Sequence, residues 1–300
     1  MKVILVHNPS AGSGKLPMRR LAMLLRAYGH QILAQSHADN DLEMLLGTAA
    51  DAIVAAGGDG TVAAVVRALP AGAPPLAIIP AGTANNIAHS LGIVGPSEAI
   101  IAELSRADRR TLDVWQVSDG MIRCATVEGC GLGALPLAAK VADDTLPDNL
   151  GEREIRAARV LLRRVVLDME PIEATVILDG RRLNGDFLSV EAINGAYGGP
   201  RLPVAPGASA SDGLIDVAVI EADRRHELAA WLAAGADRSA SPFHVRRCRR
   251  LQIASRSSHV RLGDQTDTDS GASDLHLQPL RRIDVVPAPP VPVLVAAANG

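Results

Sequence analysis

The chain has 300 residues, 48% of them hydrophobic, which suits a sizeable core in one or two domains and excludes a disordered or low-complexity chain. A net charge of −3 gives no field that would draw nucleic acid to the whole molecule, and aromatics at 2% leave few platforms for stacking bases. Cys124, Cys130 and Cys248 are odd in number and lack C-x-x-C spacing. That argues against a disulfide framework or a zinc site and suits a reducing cytoplasm.

Along the chain, "VILVH" (3–7) reads as a buried strand and "MRRLAMLLRAYG" (18–29) as a helix ending at Gly29. A strand at 31–35, a helix at 41–50, a strand at 52–56 and a helix from about Thr61 to Leu69 follow. "LAIIP" (76–80) is a fourth strand, with a helix starting near Asn85. Continuous apolar strands separated by amphipathic helices imply a parallel sheet covered on both faces. After about residue 110 the pattern changes to short, partly alternating segments that end at Gly, Asp or Asn, from "TLDVWQV" to "HVRLGD". Helical stretches at 152–166 and 225–235 interrupt them. A second, mostly antiparallel β domain is expected. The N-terminal apolar stretch is too short for a signal peptide. The C-terminal one is broken by four prolines and falls short of the roughly 20 residues that span a bilayer. No transmembrane segment is expected.

Three strand ends carry small-residue loops that feed helix N-termini: "HNPSAGSGK", "GGDGTV" and "PAGTANNIA". In an open parallel sheet, ligands bind outside the carboxyl ends of the strands. Glycines let backbone N–H groups face a phosphate, and the helix dipole adds positive potential. Any one loop reads better as a tight turn; three at one sheet edge point to a nucleotide. Thr61 and Thr83 supply hydroxyls. Asp59 among phosphate-binding amides calls for a cation between carboxylate and anion, which Mg²⁺ with a nucleotide provides. Lys15 precedes Leu16, so no P-loop is present, and "GSGKLP" and "GLGALP" both lack the last glycine of G-x-G-x-x-G.

"NPSAGSG", "GGDGTV", "PAGTANNIAHSLGI", "EGCGLGA" and "NGAYGGPRLPVAPGASASDGLIDVAVI" resemble, in order and spacing, the diacylglycerol kinase catalytic-domain family. The likeness is to its bacterial soluble lipid kinases and sphingosine-kinase relatives. The pattern P-x-A-P-x-A…D-G-x-x-D, from Pro203 to Asp216, separates this family from NAD kinases and phosphofructokinases, which share a GGDGT-like loop. The resemblance implies an α/β domain holding ATP (residues 1–118 plus a C-terminal strand at about 283–300) and a β-sandwich lipid-substrate domain (119–282), with the site between them. It places Asn8, Ser10, Gly12, Gly58, Asp59, Gly60, Thr61 and Thr83 around ATP, with Ser36 as a looser match. It also implies a structural Mg²⁺ held by the Asp212 carboxylate and the Ser209 and Leu214 carbonyls; an ordinary Asp-Gly hairpin turn is the competing reading.

The implied reaction moves the ATP γ-phosphoryl group to a lipid hydroxyl of diacylglycerol, sphingoid or phosphatidylglycerol type. The expected base is the aspartate of a D-G-E motif, but this chain has Gly263-Asp264-Gln265. Asp264 is the candidate base, with Asp267 and Asp269 behind it; a one-residue shift along a strand turns a side chain to the other face unless a bulge restores it. Val62-Ala63-Ala64 and Asn86 also lack acidic or amide groups found in relatives. The alternatives are a nucleotide- or lipid-binding homologue with impaired catalysis and, further off, a kinase of a soluble metabolite such as NAD. The implied partner is a lipid at a membrane surface, reached from the cytoplasm by a peripheral protein, with no nucleic acid and a homodimer left open. Arg156, Arg159 and Arg163 share a helical face, and Arg246, Arg247, Arg249 and Arg250 cluster; both groups suit anionic head groups or plain solvent. His7 and His89, beside the loops, read as structural.

Overall fold

The structure is a computed structural model that describes residues 1–14, 16–38, 41–105, 108–147, 152–256, 259–263, 265–266 and 273–287. Its N-terminal half alternates strand and helix: β1 (Lys2–His7), α1 (Met18–Ala27), β2 (Gln31–His37), α2 (Glu43–Leu46), β3 (Ala52–Gly57), α3 (Asp59–Ala68), β4 (Leu76–Pro80), α4 (Asn86–Ser90) and α5 (Ser97–Glu103). The four strands pair in parallel in the order β2-β1-β3-β4. Valines, isoleucines and alanines of β1, β3 and β4 are buried, and the helices close over them. α2 is shorter than expected because Gly47 and Thr48 close its last turn, their N–H groups bonding the Glu43 and Leu45 carbonyls.

The C-terminal half contains β5 (Arg110–Ser118), β6 (Arg123–Thr126), β7 (Gly129–Gly133), α6 (Ala134–Thr145), α7 (Glu152–Asp168), β8 (Ile172–Leu178), β9 (Arg181–Ile193), β10 (Ile215–Glu221), α8 (Arg225–Ala233), β11 (His244–Cys248), β12 (Leu251–Ser255), β13 (Val260–Leu262), β14 (Gln265–Thr266) and β15 (Ser273–Val285). Here the pairing is antiparallel. Trp115, Phe187, Val190 and Ile253 lie in its inner core. A second apolar layer, including Leu162, Leu228, Trp231 and Phe243, packs α7 and α8 on the outside. The molecule is thus an α/β domain with a parallel sheet joined to a mostly antiparallel β-sandwich.

β15 joins the halves. It pairs antiparallel with β12 at its start and with β5 along its length, then meets β4 in parallel at Val285↔Leu76. The strand expected at about 283–300 begins as early as Ser273; residues 288–300 lie outside the described residues. Proline has no N–H for the ladder, and the register shifts between Pro279 and Arg281. Beyond the shift, Arg281 donates to the Val66 and Leu69 carbonyls, 2.8 and 2.9 Å away, and so caps the last turn of α3.

Candidate active site

The first loop leaves β1 at Asn8, whose N–H bonds the Ala56 carbonyl at 3.0 Å while its Oδ1 accepts the Ser10 N–H at 2.9 Å. Gly12 has φ +55, and a Cβ there would collide with the Ala81 carbonyl oxygen. The second loop places Gly58 at the N-cap of α3, so close to Gly82 that a Cβ on Gly58 would lie 3.2 Å from the Gly82 Cα. In the third, left-handed Asn85 bonds Gly82 both ways: Oδ1 accepts its N–H at 3.0 Å and Nδ2 donates to its carbonyl at 2.8 Å. The three loops therefore pack backbone to backbone, which only residues without a Cβ allow.

They open onto a cavity of ≈ 440 Å³ lined by Asn8, Gly12, Gly58, Gly60, Thr61 and Thr83 among the expected residues. The α3 N-terminus borders it, where helix N–H groups and the dipole favour an anion. The Thr61 hydroxyl is buried against Gly57 and has no hydrogen-bond partner among the described residues. Arg67 also lines this cavity, two turns along α3 from Gly60. It escaped the reading of the motifs, although Gly60, Ala64 and Arg67 share one helical face. Ser10 and Ser36 do not line the cavity; the Ser36 hydroxyl donates to the His37 carbonyl at 3.3 Å, and Ala38 beyond it reaches the wall. The His7 imidazole bonds the Leu16 carbonyl and His89 packs on Tyr197, with ring centroids 5.7 Å apart. Burial lowers both pKa values, as suits neutral structural histidines.

Asp59 holds the loops together. Its Oδ2 accepts the Asn86 N–H and its Oδ1 the Ile87 N–H, each at 2.9 Å, so the first residue of α3 ties down the start of α4. Burial raises its pKa, opposed first by these two N–H groups and then by the Arg201 and Arg261 cations. The third loop is gripped from the other domain. Arg201 donates to the Thr83 carbonyl, to the Ala84 carbonyl at 2.9 Å and to Glu152 at 3.0 Å, while the Thr83 hydroxyl donates to Glu154 at 3.1 Å. Asn86 Nδ2 reaches the Gly199 carbonyl at 3.0 Å. Of the α7 arginines, Arg159 bonds Asp237 and the Pro200 and Arg201 carbonyls, and Arg163 bonds the Ala229 carbonyl. These two brace the second domain, and exposed Arg156 shares their face.

The candidate base Asp264, with Asp267 and Asp269, lies outside the described residues. β13 and Gly263 precede it in the chain. Gly263, at φ +63, donates its N–H to the Gly129 carbonyl at 2.8 Å and accepts Arg261 Nη1 at 2.6 Å. Arg261 Nη2 pairs with fully buried Glu191 at 3.2 Å, and the Ser189 hydroxyl donates to the other Glu191 oxygen at 2.9 Å. Glu191 fits only because Gly131 on the neighbouring strand has no side chain; a Cβ there would strike the carboxylate. Burial pushes the Glu191 pKa up to about 7, with Arg261 and Ser189 pulling against it. Sequence reading missed this pair. The alternate glycines 129, 131 and 133 in "EGCGLG" were the available signal, a strand face left empty for something to fill.

The expected Mg²⁺ ligands sit on the 209–214 turn. Asp212 Oδ1 accepts the Leu214 N–H at 3.0 Å, and the Ser209 hydroxyl lies 3.3 Å from that of Ser211. Arg247 Nη1 stands 3.8 Å from Asp212 Oδ2 and its Nε bonds Asp216 at 3.1 Å. A cation of the protein's own already faces this carboxylate, and a divalent ion bound there would sit beside it. Among the described residues, no group of three or more His, Cys, Asp or Glu is arranged to hold a metal.

An α/β sheet with three glycine-rich strand ends at one cavity, joined to an antiparallel β-sandwich, defines a two-domain class of protein. Residues 2–117 match the family model for the diacylglycerol kinase catalytic domain, and residues 126–274 match that for the YegS C-terminal NAD kinase beta sandwich-like domain. A Xanthomonas euvesicatoria pv. vesicatoria protein named "Probable lipid kinase YegS-like" is 30% identical over 72% of this chain and 72% of its own. A Stenotrophomonas maltophilia protein of the same name is 29% identical over 72% of each chain. A crystal structure from Bacillus anthracis described as a diacylglycerol kinase superposes with a TM-score of 0.72 at 20% identity, covering 96% of this chain and 97% of that one. The chain belongs to the diacylglycerol kinase catalytic-domain family, phosphotransferases with an alcohol as acceptor. Among the described residues, no helix is long and apolar enough to cross a membrane.

Proposed function

We propose that this protein transfers the γ-phosphoryl group of ATP to a lipid hydroxyl, of diacylglycerol, sphingoid or phosphatidylglycerol type, working from the cytoplasm at a membrane surface. The observation that carries the reading is the convergence of three glycine-rich strand ends on one ≈ 440 Å³ cavity bordered by the start of α3. Backbone N–H groups of the Gly12 and Gly58 loops and the start of α3 hold the phosphates, with Thr61 and Arg67 adding a hydroxyl and a positive charge. Mg²⁺ supplies charge neutralisation when bound with the nucleotide. Asp59 acts mainly by fixing α4 and the third loop. Asp264 is the candidate base for the acceptor hydroxyl, and the Arg261–Glu191 pair pins the strand end that leads to it. Residues 1–118 make up the nucleotide-binding unit and 119–282 the acceptor unit, with β15 shared across them.

The sequence Gly263-Asp264-Gln265 keeps one alternative in play, a homologue that binds nucleotide but no longer transfers phosphate. Purified protein with γ-labelled ATP, Mg²⁺ and vesicles carrying diacylglycerol, a sphingoid base or phosphatidylglycerol separates the two. Label is expected on one of these lipids. Nucleotide binding with no label on any lipid would reject transfer and favour the alternative.

A further inference from the structure

The 207–214 turn carries its own positive charge. Asp216 on β10 lies directly opposite Arg247 on β11 in the antiparallel register. Arg247 Nε donates to Asp216 Oδ1 at 3.1 Å, Nη2 donates to the Gly207 carbonyl, and Nη1 faces Asp212 at 3.8 Å. A second guanidinium stands on the other flank: Arg282 Nε donates to Asp113 Oδ1 at 2.6 Å. Asp113 Oδ2 in turn accepts the Gly213 N–H at 2.6 Å, and its own N–H bonds the Ala210 carbonyl at 2.8 Å. The Gly207 and Ala210 carbonyls and the Gly213 and Leu214 N–H groups of the turn are thus each used by a side chain or backbone group of the protein.

Two guanidiniums bring the same formal charge as one divalent ion, and they bring it in a planar, forked form that bonds several oxygens at once. A divalent ion on Asp212 would have to sit beside Arg247 and be repelled by it. The buried Asp216 Oδ2 has no hydrogen-bond partner among the described residues. Oxygen ligands for a cation therefore remain once the guanidinium is removed.

We propose that Arg247 is a built-in cation for this turn, standing where the lipid kinase resemblance implies Mg²⁺, so that the second domain is held without a divalent ion and Mg²⁺ serves only with the nucleotide. The inference concerns the cofactor requirement of the proposed reaction. Its test needs no enzymatic activity, so its failure is distinguishable from failure of the kinase reading.

The test is thermal unfolding of the full, nucleotide-free chain in EDTA and in millimolar Mg²⁺. The wild-type midpoints are expected to coincide. Arg247→Met is expected to unfold a few degrees lower in EDTA and to recover part of that loss with Mg²⁺. Should that variant not fold, Arg247→Lys keeps the charge without the fork and is expected to fold, with a lowered midpoint that ignores Mg²⁺. A wild-type midpoint that falls on chelation, with the dependence abolished in Asp212→Ala, would overturn the proposal. So would an Arg247→Met midpoint in EDTA equal to that of wild type.

Discussion

The α/β side of the cleft presents backbone, in three loops pressed together at Gly12, Gly58 and Gly82 around a cavity. The sandwich side presents charged side chains that already have partners: Arg261 with Glu191, Arg201 with Glu152, Arg247 with Asp216. On the proposed reading the first surface receives an anion from outside; the second neutralises its charges internally and uses them to hold loops in place. Binding should therefore depend on space and N–H groups on one side, and positioning on ion pairs on the other.

The largest expected effect is at the candidate base. Asp264→Asn should lower phosphoryl transfer by roughly 10²–10⁴-fold, the range for loss of a general base, while leaving ATP affinity within about twofold. Parallel transfer and equilibrium-binding measurements check both parts. Full-rate transfer would remove Asp264 from the chemistry.

Glu191 is next, and it gives the sandwich wall a pH signature. Its folded pKa of about 7 lies above its ordinary value of 4.5, so between these values the folded state holds the extra proton. Stability then falls as pH rises from about 4.5 to 7 and levels off above, by on the order of 3 kcal/mol for this group. Glu191→Gln, neutral at every pH, should remove that part of the slope in denaturant titrations across this range. An unchanged slope would place the titrating group elsewhere.

Asp59→Ala breaks the division from the α/β side. It removes two acceptor bonds to the start of α4 and should cost about 1–2 kcal/mol, as for loss of a helix cap. It should loosen the third loop before the first, which hydrogen exchange at Asn86 and Ile87 would report.

The α/β half was largely legible in the sequence because its strands are continuous apolar runs and its loops stand at their ends. Strands β1, β3 and β4 fall within a residue of the expected 3–7, 52–56 and 76–80. Helix α6 was not, since alternate glycines precede it and Pro136 falls in its first turn. Proline is tolerated in a first helical turn, and Pro136 sits there. β11 was hidden by its arginines, of which exposed Arg247 pairs with buried Asp216. The nucleotide loops could be found because each motif is local. Glu191 and Arg261 are 70 residues apart, and only the pairing of β7 with both β9 and β13 brings them together. A contact set by sheet topology leaves no trace in either residue's neighbourhood.

Gly60 offers the most direct test of the central claim, that ATP lies in the glycine-loop cavity. It is exposed on α3 and lines that cavity, so Gly60→Leu adds bulk to the site while improving helix propensity. The account predicts at least a tenfold loss of ATP affinity, about 1.4 kcal/mol, with an unfolding midpoint no lower than that of wild type. Unchanged ATP affinity in a folded Gly60→Leu protein would contradict it.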